Sequence, residues 1–133
     1  MSMKILIADP DSRFAAQAAS YLESKAHLVA HYGDAASALI AARRWQPDLV
    51  IMAAELVTEK AMNAFRSFNP RPAIVLAGSL AEVGQTWRAW QRGGDELLMK
   101  PIFKAREIHE AIVAALQHNL LGGRSWQVTA ASA

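Results

Sequence analysis

Leu49-Val50-Ile51-Met52 is apolar at four successive positions, with no polar residue alternating between them. A strand with one wet face alternates, whereas a strand covered by helices on both faces does not. This run is therefore expected to be a central strand of a parallel sheet. In an open sheet of that kind, chemistry sits just past the carboxyl ends of the strands. Here that place holds Ala53-Ala54, which can neither ionise nor act as a nucleophile.

The rest of the chain repeats the pattern. Further strands are expected at residues 4–8, 28–32, 73–77 and 97–99, each followed by a helical stripe. Phe14, Ala18 and Leu22 recur at i, i+4, i+8, with Asp9 or Asp11 as cap and Pro10 suited to a first helical position. Asp34 caps a helix that buries Ala35, Ala38, Leu39 and Ala42 and stops at Pro47. Thr58 caps a short helix with Ala61, Phe65 and Phe68 on one side. A fourth helix over 81–92 carries Val83, Trp87 and Trp90 at i, i+4, i+7 and ends at Gly93-Gly94; Trp87 is assigned to the core. The fifth is the clearest, with Ile108, Ala111, Ile112, Ala115 and Leu116. Five βα units in succession imply right-handed crossovers over one parallel sheet. Residues 1–120 form that domain, and residues 121–133 form a tail or the start of a linker.

Several functions are disfavoured. Fourteen Lys+Arg against 12 Asp+Glu give a net +2, scattered along the chain apart from Arg43-Arg44, so nucleic acid is not an expected partner. There is no Cys to form a disulfide or thiolate metal site, which fits the cytoplasm. No apolar run approaches the ~20 residues of a membrane span, and residues 1–5 lack a signal-peptide layout. The stretch 9–13 after the first strand has no glycine, against a phosphate-binding loop. His27 and His31 flank or lie in the second strand, and His109 and His118 are nine apart on the last helix. Neither spacing sets two imidazoles on one helical face for a metal, so all four are expected at the surface or its boundary. Asp48 lies at the wrong end of its strand, and Asp95-Glu96 is expected to be a strand entrance facing water.

The motifs KILIADPDS, QPDLVIM, PAIVLAG and RGGDELLMKPI, spanning about residues 4–117, resemble the receiver domain of bacterial response regulators. The last is the most specific. The resemblance implies a flavodoxin-like (βα)5 three-layer sandwich with sheet order 2-1-3-4-5. It also implies an acidic Mg²⁺ pocket and transfer of a phosphoryl group from a histidine kinase to one Asp. Residue by residue, Asp9 and Lys100 are retained. Pro10 stands at the second acidic position, Ala53 at the nucleophile, Ala77 at the hydroxyl (with Ser79 two residues on) and Leu97 at the switch aromatic. The segment between the third and fourth strands is also short for the family. Without a carboxylate nucleophile no acyl phosphate forms. With one carboxylate fewer, Mg²⁺ has only Asp9 as a weak candidate ligand.

The expected remnant is therefore an Asp9–Lys100 ion pair, with Asp11 and Glu55 as the nearest replacement acids. Asp11 is otherwise a helix cap, and Glu55 otherwise solvated. The expected function is regulation by a degenerate receiver, non-enzymatic and without cofactor, acting through protein contacts. Its partner is a second copy or another protein, such as a histidine kinase or output domain. The contact face is that of helix four, strand five and helix five, presenting Trp90, Leu97 and Phe103. The alternatives are a phosphorelay member using a displaced carboxylate, and a small-ligand sensor in the eroded pocket.

Overall fold

The computed structural model describes residues 2–122. The strands are β1 (Lys4–Ala8), β2 (Leu28–Tyr32), β3 (Leu49–Ala53), β4 (Ala73–Ser79) and β5 (Glu96–Lys100). The helices are α1 (Ser12–Ser24), α2 (Ala35–Trp45), α3 (Glu59–Arg66), α4 (Val83–Arg92) and α5 (Ala105–Leu120). All strand pairs are parallel and the order is β2-β1-β3-β4-β5, as expected. Most of the tail, from Gly123 onward, lies outside the described residues.

The unbroken apolar runs follow from having helices on both sides. Ile5, Ile7, Leu49, Ile51, Val75 and Leu98 point to a core closed by Phe14, Ala18 and Leu22 of α1 and by Ile108, Ile112 and Ala115 of α5. Leu6, Val50, Met52, Ile74 and Leu76 alternate with them and meet Ala38 and Ala42 of α2, Met62 and Phe65 of α3, and Ala89 of α4. Caps define the helix starts: Asp11, Asp34 and Thr58 accept the N–H of Phe14, Ser37 and Ala61. Gly93 and Gly94 end α4 with φ of +141° and +99°, values that favour glycine.

Four expectations need correction. Pro10 precedes the cap Asp11, so it lies outside α1. Phe68 lies beyond the end of α3, half-buried against Phe65. The Val83–Trp87 stripe is not core: these residues are 59% and 58% exposed, and α4 buries Thr86 and Ala89 instead. Thr86 is polar, yet its hydroxyl donates to the Glu82 carbonyl and accepts the Ser79 N–H, so it can be buried. Trp90 packs partly buried against the α2–α3–α4 side of the sheet.

The fourth correction is Asp95. It is buried, not solvated. One carboxylate oxygen accepts the Ile74 N–H at 2.8 Å and the other pairs with Arg71 at 3.2 Å. Its carbonyl accepts the His118 Nδ1 proton, and its N–H donates to the Ile74 carbonyl. Asp95 thus ties the entrances of β4 and β5 to the end of α5. Glu96, its neighbour, is half-buried at the start of β5.

Candidate functional site: the carboxyl end of the sheet

Parallel pairing brings the ends of β1, β3, β4 and β5 together, with Ala53 directly opposite Ala77. A cavity of about 570 Å³ opens there, lined by Asp11, Phe14, Ala54, Glu55, Ala77, Ser79 and Lys100 among others. The side chain of Asp9, immediately after β1, is 0% exposed. Its Oδ2 accepts Lys100 Nζ at 2.8 Å and its Oδ1 accepts the Asp11 N–H at 2.8 Å. The Asp9 carbonyl accepts His31 Nε2–H at 2.8 Å, so His31 also helps hold this turn.

Lys100 is boxed in. Its ammonium lies 3.4 Å from Asp11 Oδ2 and 4.7 Å from the centroid of Phe14, a cation–π distance. The Phe14 N–H above all, opposed by burial, and then the Lys100 ammonium hold the Asp11 carboxyl below its ordinary value. Asp11 therefore caps α1 and also lines the cavity. Glu55 is exposed on the 3-10 turn after β3 and lines the same cavity.

The donor set suits an ammonium better than a divalent metal. Both Asp9 oxygens are already engaged, Pro10 offers no oxygen ligand from its side chain, and Ala53 and Ala77 offer none. Among the described residues no group of three His, Asp or Glu is gathered as a metal site. Octahedral Mg²⁺ needs hard oxygens at close range, and the Lys100 ammonium already holds one oxygen each of Asp9 and Asp11.

Of the residues the sequence singled out, Asp11, Glu55, Ala77 and Lys100 line the cavity, and Asp9 lies buried beside it, paired with Lys100. Sequence reasoning missed the walls: Arg13, Gln17, Glu82, Gln85, Pro101 and Ile102 also line the cavity. Their signal was positional, since each lies within two turns of a strand's carboxyl end or its following helix. Leu97 is on β5, half-buried on the α4 side, and Phe103, on the loop after β5, is 77% exposed. The two do not share the pocket with Lys100.

The fold is that of response-regulator receivers. The chain is similar to NtrX from Brucella abortus, solved with ADP, at 24% identity and a TM-score of 0.78; the match covers 92% of this chain and 28% of NtrX. It is similar to the receiver domain of a modulated diguanylate cyclase from Desulfovibrio desulfuricans G20, at 20% identity and TM-score 0.75, over 92% and 99% of the two chains. Against the chemotaxis regulator CheY4 of Vibrio cholerae the values are 16%, 0.73, 86% and 99%. No family model matches the chain, and no curated protein matches its sequence. No helix among the described residues is long and apolar enough to cross a membrane.

Proposed function

We propose that residues 1–120 form a pseudo-receiver: a cytoplasmic, bacterial, non-enzymatic module that regulates by binding protein, without phosphorylation of a strand-end aspartate and without a metal or cofactor. One observation carries this. Ala53, at the end of β3, is 0% exposed and has no group that can accept a phosphoryl, while the retained Lys100 is neutralised by Asp9 and Asp11. A second reading, phosphorylation of a displaced carboxylate, is favoured only by Glu55 lining the cavity. The cavity's size also keeps a small-ligand sensor in view as a third.

We assign protein binding to the α4–β5–α5 face, and take Trp87 rather than Trp90 as its anchor because Trp87 is the more exposed. Arg92 on one flank of α4 donates to the Val57 carbonyl, beyond β3. The opposite flank carries Val83, Trp87 and Trp90, of which Trp90 is half-buried. Trp87, 58% exposed, presents the largest open side chain there. Burying its exposed part removes on the order of 100 Å² of mostly apolar surface, worth about 2–3 kcal/mol. Large aromatics of this kind dominate interfaces.

A second copy is the first partner to test. Sedimentation equilibrium should show self-association that Trp87→Ala weakens more than tenfold, with the melting temperature unchanged. A variant that unfolds, or that self-associates as well as the parent, would place the working face elsewhere. A histidine kinase or an output domain is the other class of partner this face suits.

A further inference from the structure

Between α1 and α5 runs a groove of about 630 Å³. Its floor is apolar, made by the buried Leu22 and Ile112 and continued by Leu116. Beside the Tyr21 phenol, its polar groups are basic or imidazole: Lys25, His27, Arg106 and His109, with no Asp or Glu in the lining. It shares no lining residue with the cavity at the carboxyl end of the sheet.

The basic groups are available. Lys25 lies 5.9 Å over the Tyr21 ring and has no carboxylate partner among the described residues. Arg106 and His109 make no hydrogen bond or ion pair among the described residues. His27 Nδ1 accepts the Met3 N–H at 3.1 Å, so a neutral ring carries its proton on Nε2 and offers a donor there. A volume of this size is within the ~300–1,000 Å³ usual for small-molecule sites, which are mostly apolar with a few polar groups that fix orientation.

We propose that this groove binds a small amphiphilic anion, an aliphatic carboxylate of medium chain length. Its chain lies on Leu22, Ile112 and Leu116, and its head meets the Lys25 and Arg106 side chains. The charge pattern selects against a second copy of this chain, because a two-fold contact would set the same cations against themselves. It selects equally against a neutral ligand, which would leave four donor groups unused.

The test is amide chemical-shift mapping of the full chain with octanoate, and with 1-octanol as the neutral match. Octanoate should give saturable shifts confined to Tyr21, Lys25, His27, His109 and Leu116, with 1-octanol at least tenfold weaker. From hexanoate to octanoate, each added CH₂ should tighten binding by up to about fourfold. The Lys25→Gln/Arg106→Gln double variant should weaken octanoate by tenfold or more while leaving the melting temperature and 1-octanol binding unchanged. No saturable shift, equal binding of 1-octanol, or shifts centred on Asp11 and Ser79 would overturn the proposal. So would a response to phosphatidylglycerol vesicles without one to octanoate, which would make this a membrane-facing surface.

Discussion

Lys100 is the residue on which the candidate site turns, because its one positive charge serves two carboxylates. Ala53→Asp would add a third at a fully buried position beside them, and like charges at close range raise a carboxyl's pKa. The variant should lose about 1–3 kcal/mol in chemical denaturation and still not label with acetyl phosphate, since Pro10 and Ala77 are unchanged. Ready labelling would show a pocket that needs only its nucleophile. Asp95 makes the contrasting case. Asp95→Ala leaves the Ile74 N–H and Arg71 without their partner and should cost about 2–4 kcal/mol in the same assay. A loss under 0.5 kcal/mol would mean the carboxylate is replaceable by water. Asp9 and Lys100 could be paired from the sequence because the resemblance places both at strand ends. Asp95 could not: a carboxylate at a strand entrance reads as solvated, and its partners lie 21 and 24 residues back in the chain.

At the scale of elements, the strands were legible, and so was the fourth helix, but its buried face was not. Four apolar residues in a row have one explanation in a chain this size, but an i, i+4, i+7 stripe has two. Val83 and Trp87 form a stripe that faces out, and Thr86 with Ala89 forms the one that faces in. The deciding contact is local to β4. A Cβ on Gly78 would overlap Cγ2 and Oγ1 of Thr86, so the glycine lets α4 seat on the strand. Gly78→Ala should push α4 outward and cost about 1–3 kcal/mol, as overpacking does. Gly78→Ala with Thr86→Ala should recover part of that loss in a thermal melt. If the double variant is no more stable than the single, the close approach is not what positions α4.

For the molecule as a whole, parallel pairing with helices on both faces was legible from five βα units in succession, and the sheet order from the receiver resemblance. The cavity walls were not, since which side chains close a pocket depends on how helices lean over strand ends. The fold carries an alanine and a lysine paired with two carboxylates at the carboxyl end of its sheet, while apolar surface remains open on α4. The central claim is that this fold works without phosphoryl chemistry. Intact mass spectrometry after incubation with acetyl phosphate and millimolar Mg²⁺ tests it directly. The expected result is an unchanged mass. A gain of one phosphoryl group, mapped by fragmentation to Glu55, Asp11 or Asp9, would contradict it and make the protein a working phosphoacceptor.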